Sequence, residues 1–202
     1  MAMEHRTSYF LPADRDSTDA VLRLVAARAR ELGIRRVLVP STTGATALAA
    51  ADALAGLDLV VMTHETGFAR DGEQEFPVAT RLALEARGIA VHTVTHAFGG
   101  LSRAMRSKFN THVIGDIVAN TLRIFGQGMK VVIECPMAAM DAGLLTWGEE
   151  ILSMGGTNRG VDTAVTLRPV HVRDFFALRV NEILCKPRFD PDDPPAAGRK
   201  SS

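Results

Sequence analysis

The chain has 202 residues, of which 47% are apolar, and its 23 basic and 23 acidic side chains give a formal net charge of zero. This length and apolar content predict one domain with a substantial core, and the balanced charge excludes attraction to nucleic acid or to an anionic membrane by overall charge alone. No apolar run approaches the roughly 20 residues that cross a bilayer, and the start of the sequence lacks a signal-peptide pattern, so we expect a cytoplasmic protein.

Short β-branched runs alternate with segments of helical periodicity along most of the chain. The predicted strands are 7–11, 36–39, 57–62, 89–95, 129–134, 150–154, 163–167 and 180–184. The predicted helices run from Ser17 or Thr18 to Gly33 and over 44–55, 77–87 and 113–125, while 63–76 and 96–112 are predicted to be irregular. Because strands that alternate with helices favour right-handed crossovers, we expect an α/β, three-layer, Rossmann-like sandwich with a mostly parallel sheet.

Residues 1–188 are predicted to form this single α/β domain. The remaining residues, 189–202, are rich in proline and charge and nearly free of large apolar side chains, which is typical of a disordered tail. Cys135 and Cys185 are far apart in sequence and lie in or beside apolar runs, a pattern that favours reduced, buried thiols over a disulfide or a metal site.

Polar or glycine-containing segments follow the predicted strands in turn. They are 41–44, 63–67, 95–100, 134–136 and 155–160. Because the carboxyl ends of parallel strands share one edge of a sheet, where ligands bind in α/β proteins, these five segments are expected to converge there.

The first of these segments has the composition of an anion site. Ser41, Thr42, Thr43 and Gly44 directly precede a predicted helix that also contains Thr46, so hydroxyls and backbone N–H groups would meet at its positive end. A single hydroxyl would suffice if the segment only capped the helix, and this alternative stays open. No P-loop pattern occurs, and the Gly-x-Gly spacing at 126–128 precedes a predicted strand instead of following one.

Two further segments combine glycine with arginine. Gly100 is followed by Arg103 within a basic cluster, and Gly156 lies in a glycine-rich run with Arg159. Guanidinium groups bind phosphate oxygens in pairs, so both segments are candidate phosphate contacts. The alternatives are a solvated helix face around Arg103 and a simple tight turn around Gly156.

His64 and His96 are the candidate acid or base groups, because each follows a predicted strand at the expected ligand edge. A loop histidine that only forms hydrogen bonds is the alternative. His92 and His96 are separated by about 13 Å along an extended chain, too far to share one metal ion, and no metal site is predicted.

The segments VLVPSTTGATALAAADAL, THETGF and GGTNRGVDTAVTLRPVHVRDFFALRVNEILCKPR together resemble stand-alone proteins similar to the carboxyl-terminal domain of pyruvate kinase. The resemblance covers roughly residues 7–188. It implies the α/β fold of that domain and phosphate recognition at 41–46. It does not imply pyruvate kinase activity, since the catalytic (β/α)8 barrel alone needs about 200 residues or more.

The same resemblance implies a flavin mononucleotide (FMN)-like ligand in the crevice, with its flat ring beside Phe98 and Met137. Its candidate contacts are Thr43, Gly44, Thr46, Thr66, Gly67, His96, Gly100 and Glu134. Relatives tend to carry a second ring residue, usually histidine, where this chain has Glu65, so the role of that ring does not transfer.

Three hypotheses follow. The first is a domain that binds a phosphorylated small molecule, for example a flavin nucleotide, with no nucleic acid or membrane partner. The second is a flavin-dependent or phospho-substrate enzyme that uses His96 or His64 as acid or base, with Glu134 as a partner. The third is a regulatory or assembly module that acts in a homo-oligomer.

Overall fold

The computed structural model describes residues 4–11, 17–157 and 159–189. Seven strands are present in these ranges: β1 (Ser8–Phe10), β2 (Arg36–Pro40), β3 (Asp58–Thr63), β4 (Val91–Thr93), β5 (Ile151–Gly155), β6 (Thr163–Arg168) and β7 (Arg179–Pro187). The α-helices are α1 (Thr18–Leu32), α2 (Ala45–Ala53), α3 (Val78–Glu85), α4 (Gly100–Phe109), α5 (Ile114–Arg123) and α6 (Gln127–Asp141), and a 3₁₀ helix spans Val172–Ala177. Except for Phe189, the predicted tail lies outside the described residues.

The strands form one sheet in the order β1-β7-β6-β5-β2-β3-β4. Every neighbouring pair is parallel except the two that involve β6, which runs antiparallel to β5 and β7. The predicted α/β class and mostly parallel sheet are therefore confirmed. The carboxyl ends of β2, β3 and β4 are consecutive along one edge, which brings the segments that follow them side by side.

Two cores cover the two faces of this sheet. One core joins the sheet to α1, α2 and α3, and the other joins it to α5, α6 and the 3₁₀ helix. Val37 and Val39 of β2 point into the first core, whereas Leu38 between them points into the second, as the twofold alternation of a strand requires. This central strand is apolar throughout because both of its faces are buried.

The predicted strand at 129–134 is wrong, because this segment lies inside helix α6. Eleven of the fifteen residues of α6 are buried, so its sequence is apolar on nearly every side and resembles that of a strand covered on both faces. The glycines at 126 and 128 therefore begin a helix and do not precede a strand. The segment 96–112, predicted to be irregular, contains helix α4.

Both cysteines are free thiols in the described part of the chain. Cys185 is buried as predicted, whereas Cys135 is half-buried. Desolvation raises the pKa of both thiols to about 12. Within the described ranges, no helix is long and apolar enough to cross a membrane.

Candidate functional site

Side chains from the ends of β2, β3 and β4 meet at one place. Thr42 Oγ1, after β2, lies 3.4 Å from His64 Nε2, after β3. The rings of His64 and His96, the latter after β4, have centroids 5.3 Å apart. Phe68 lies against both, at 3.9 Å from the His64 ring and 5.1 Å from the His96 ring. The first three predicted segments therefore form one cluster of hydroxyl, imidazole and phenyl groups.

The segment 41–44 presents the amino end of α2 to this cluster. Ser41 is buried, and its Oγ accepts a hydrogen bond from Ala47 N–H at 3.3 Å, so one hydroxyl of the segment does cap the helix. Gly44 has φ 92°, a left-handed conformation, and a Cβ there would overlap Thr80. Thr43 is exposed. The first turn of α2 contains no acidic residue, so no carboxylate within that turn offsets its positive end.

His64 is held by a carboxylate on one side and a hydroxyl on the other. Its Nδ1 lies 2.8 Å from Glu75 Oε2, so the ring donates there and its Nε2 accepts from the Thr42 hydroxyl. Burial lowers the pKa of His64 below its ordinary value, and the nearby His96 lowers it further, while the hydrogen bond to Glu75 opposes the shift. His64 is therefore a neutral imidazole at physiological pH.

His96 forms a second pair with Glu65. The Glu65 carboxylate accepts hydrogen bonds from His96 Nδ1 at 2.6 Å and from the His96 backbone N–H at 2.9 Å. Arg103 lies 3.5 Å from the other carboxylate oxygen and 4.2 Å from the centre of the Phe68 ring. Burial works against ionisation of Glu65, but the His96 hydrogen bonds and the charges of His96 and Arg103 outweigh it and lower the pKa of this carboxyl.

Glu134 is not at a strand end, as the sequence had indicated, but inside α6, where it is 1% exposed. Its carboxylate accepts hydrogen bonds from Phe98 N–H at 2.7 Å and Gly99 N–H at 3.2 Å, and it pairs with Lys130. Glu134 therefore supplies the negative charge at the start of α4, whose first residue is Gly100. This internal contact, and not a ligand, accounts for its position.

The expected space for a flat ring beside Phe98 and Met137 is absent. These side chains are 7% and 0% exposed and belong to the core beneath α6. Phe68, which the sequence reading did not select, is the phenyl ring that lies in the histidine cluster.

The loop between β3 and α3 carries two other predicted contacts. Thr66 is exposed and its Oγ1 lies 3.5 Å from Gln74 Nε2. Gly67 has φ 86° and donates its N–H to Glu73 O at 2.9 Å, which closes the loop on itself. Both residues flank the cluster at the end of β3.

In the segment 155–160, the described residues on either side of Asn158 lie close together. A Cβ on Gly156 would overlap the Gly160 carbonyl, and Thr157 donates to Asp162 through both its N–H, at 2.9 Å, and its Oγ1, at 2.6 Å. The segment is anchored to the start of α1, where Ser17 Oγ donates to Val161 O at 3.1 Å. Arg159 is exposed, and Asn158 lies outside the described residues. The hydrogen bonds of this segment thus run toward α1 rather than toward the histidine cluster.

A shallow depression of about 360 Å³ borders the histidine cluster on another side. It is lined by Val94, Thr95, His96, Ala97, Ala138, Asp141, Ala142 and Val172. Its lining is mostly aliphatic and does not include the start of α2 or His64. The hydrogen-bonded cluster, and not this depression, therefore defines the candidate site.

The sequence reading missed Glu75 and gave no role to Glu65, although both orient a predicted histidine. Glu65 directly follows His64 but pairs with His96, 31 residues away. Glu75 lies eleven residues after its partner His64. In the sequence, the adjacency of His64 and Glu65 was the feature that indicated a histidine–carboxylate contact. The folded structure was needed to show which imidazole ring each carboxylate contacts.

Comparison with known proteins links the chain to one family. The sequence model described as "Pyruvate kinase, alpha/beta domain" matches residues 19–168. Two structures of pyruvate kinase from Cryptosporidium parvum, one in complex with ADP, cover 77% and 86% of this chain at 12% and 11% identity, with TM-scores of 0.38 and 0.37. The SAH-bound methyltransferase PaMTH1 from Podospora anserina covers 70% of this chain and 54% of its own, at 20% identity and a TM-score of 0.31.

In both pyruvate kinase structures the match covers 24% of the enzyme's chain. The present chain therefore spans about a quarter of the length of those proteins.

Proposed function

The chain belongs to the pyruvate kinase alpha/beta domain family, and from this premise we propose that it binds a phosphorylated small molecule, for example a flavin nucleotide such as FMN, at the carboxyl edge of its sheet. The observation that carries the proposal is the positive end of α2, whose first turn has no acidic residue, beside two carboxylate-held histidines. The ligand's phosphate would lie at 41–46, where N–H groups and the Thr43 hydroxyl are available.

The start of α2 differs in charge from the starts of three other helices. Glu134 accepts the N–H groups before α4, and Asp116 accepts the Val113 N–H at the start of α5. The first turn of α1 contains Asp19. The first turn of α2, like those of α3 and α6, contains no acidic residue, so no carboxylate within that turn would oppose a bound anion at the positive end of the helix.

The cluster next to this helix end offers stacking surfaces. Phe68, His64 and His96 place three rings within 5.3 Å of one another, centre to centre. A flat heterocycle joined to the phosphate could stack on this group, and Arg103 carries a positive charge at its margin. These features support a ligand with one phosphate and one aromatic end.

Binding is tested by thermal unfolding with inorganic phosphate, FMN and riboflavin as separate probes. A ligand at about 100 times its dissociation constant adds about 2.7 kcal/mol of stability. Riboflavin lacks the phosphate of FMN, so FMN should bind more tightly and raise the melting temperature more than riboflavin does. Absence of a shift with both phosphate and FMN would refute the proposal.

A charge placed at the helix start gives a second test. Ala45 is the first residue of α2 and is exposed, so Ala45→Asp should stabilise the free protein by about 0.3–1 kcal/mol through the helix dipole. The same carboxylate should weaken FMN binding at least about tenfold. The matched control is Ala53→Asp at the other end of α2, which should retain binding. Equal affinities of the two variants would contradict a phosphate site here.

The two histidine–carboxylate pairs also favour an enzyme as second candidate. Each pair fixes one ring nitrogen, Nδ1, and directs Nε2 away from its carboxylate, as in acid–base catalysts. We would measure exchange of ligand protons with D2O by NMR over a panel of phosphorylated carbonyl compounds. His96→Gln and His64→Gln should keep phosphate affinity and lose exchange; full exchange in both variants would exclude this role.

A further inference from the structure

Helix α5 exposes a line of large aliphatic side chains. Ile114, Ile117 and Ile124 are 79%, 60% and 68% exposed, although isoleucine is usually buried. The chain on either side adds further exposed apolar residues: Leu101, Phe109 and Phe125. Apolar surface concentrated in this way is typical of a binding surface in a soluble domain.

The spacing of this line is that of a helix-packing seam. Ile114, Ile117, Thr121 and Ile124 follow each other at intervals of three, four and three residues, which places them along one narrow stripe of α5 and of the helical residue that caps its end, Ile124. The Thr121 hydroxyl donates to Ile117 O at 2.9 Å, so it needs no polar partner from outside. We call these four residues the α5 seam.

Polar groups next to the α5 seam are also satisfied within the chain. Asn120 Oδ1 accepts from Arg123 Nη1 at 2.7 Å, and Arg123 Nε donates to Gln127 Oε1 at 2.6 Å. A partner could therefore cover the α5 seam without leaving these groups buried and without a hydrogen bond, which would oppose binding.

The segment around the α5 seam carries more positive than negative charge. Residues 100–125 contain the basic side chains Arg103, Arg106, Lys108 and Arg123, and one acidic side chain, Asp116. Asp116, which is 7% exposed, is paired with Arg106, and Arg103 lies 3.5 Å from Glu65. Among the described residues, Lys108 and Arg123 are the basic side chains of this segment without a carboxylate partner. The chain as a whole has a net charge of zero, which makes this region locally basic.

We propose that the α5 seam is the docking surface for an acidic amphipathic helix of a partner protein. The three-four-three spacing fits the apolar stripe of a second helix, and acidic flanks would complement the basic side chains of 100–125. A second copy of this chain would bring the same basic surfaces together. A lipid surface would require a wider apolar face than this narrow stripe.

The probe is a fluorescein-labelled amphipathic peptide with leucine at the two seam positions of each heptad and glutamate and glutamine elsewhere. Its counterpart carries lysine in place of glutamate. Fluorescence anisotropy with the full chain should show saturable binding of the acidic peptide, at least about tenfold tighter than the lysine peptide and weakened by added salt. No binding, or equal binding of both peptides, would overturn the proposal.

Ile117→Ser should weaken binding of the acidic peptide at least about tenfold, because it removes an apolar side chain from the middle of the seam. The matched control is Leu82→Ser in α3, also 60% exposed, which should bind as the wild type does. Both sites are exposed, so both variants should fold, which circular dichroism would verify. Equal binding by Ile117→Ser and the wild type would contradict the assignment.

A second copy of this chain and a lipid surface, the two alternative occupants of the α5 seam, are tested with the same variants. Light scattering would detect a dimer, and co-sedimentation with vesicles of phosphatidylcholine and phosphatidylserine in a roughly 2:1 ratio would detect membrane binding. Dimerisation or vesicle binding that Ile117→Ser abolishes and Leu82→Ser does not would assign the seam to that occupant and overturn the proposal of an acidic helix.

Discussion

Replacement of Glu134 by glutamine should destabilise the protein strongly, because it leaves a buried lysine without its counter-ion. The Glu134 side chain is 2% exposed and that of Lys130 10% exposed. Glutamine keeps the shape and can still accept from Phe98 N–H and Gly99 N–H, but it removes the negative charge. Loss of one partner of a buried ion pair costs about 3–5 kcal/mol, a large part of the roughly 5–15 kcal/mol that stabilises a domain.

The reverse change, Lys130→Met, should cost less. The remaining Glu134 carboxylate keeps two N–H donors at the positive end of α4, which continue to stabilise its charge. The double variant leaves no unpaired charge, so its cost should fall below the sum of the two single costs by about 2 kcal/mol or more.

Urea-induced unfolding of the four proteins, followed by circular dichroism, measures these differences. A coupling energy below about 0.5 kcal/mol would mean that the two charges act independently, and would refute the reasoning. Equal costs of Glu134→Gln and Lys130→Met would show that the α4 N–H groups do not stabilise the carboxylate.

Three further outcomes are expected. Gly128→Ala should lower the free energy of unfolding by about 1–3 kcal/mol in urea titrations, because its Cβ would overlap Thr163 where α6 meets the sheet; an unchanged midpoint would contradict this close contact. Burial lowers the pKa of His64, so between that pKa and the ordinary value of 6.5 the unfolded chain binds more protons than the folded one. Stability should therefore fall as the pH drops through this window, and His64→Gln should make the decline shallower; identical slopes would argue against a neutral His64. Finally, with the pKa values of Cys135 and Cys185 raised to about 12 by burial, Ellman's reagent at pH 8 should label neither thiol before urea unfolds the chain, and rapid labelling of the native protein would contradict this.

The sequence was sufficient to locate the seven observed strands approximately, because they are short apolar runs, and β1 to β4 alternate with helices. It failed at α6, where a helix buried on nearly all sides has the same unbroken apolar run as a buried parallel strand. It also failed at α4, whose apolar residues Leu101 and Phe109 are exposed, so the usual link between helical spacing and a buried face is missing there.

The candidate site was predictable as a region but not as a set of contacts. The order of the strands brings the ends of β2, β3 and β4 together, and hydroxyl and histidine residues follow those ends in the sequence. The pair His64–Glu75 depends on how the loop between β3 and α3 folds back on itself, and the pair His96–Glu65 on how that loop approaches the one after β4; no periodic pattern encodes either. The cytoplasmic location and the homo-oligomer stay predictions.

The internal carboxylates indicate where an external anion would bind. From the sequence, the hydroxyls of 41–44 were predicted to precede a helix, whereas Gly100 and Arg103 were candidate phosphate contacts in a segment predicted to be irregular. In the structure, the Glu134 carboxylate accepts hydrogen bonds from the N–H groups before α4. Glu134 is 36 residues from Phe98, so local sequence patterns could not predict this contact. An anion brought to α4 would have to displace a buried carboxylate from its lysine, whereas the start of α2 has the neutral Ser41 hydroxyl as an acceptor for Ala47 N–H. Competition between an internal carboxylate and an external anion for the same N–H groups thus disfavours the start of α4. This difference, more than the number of hydroxyls, favours the start of α2 as the phosphate site.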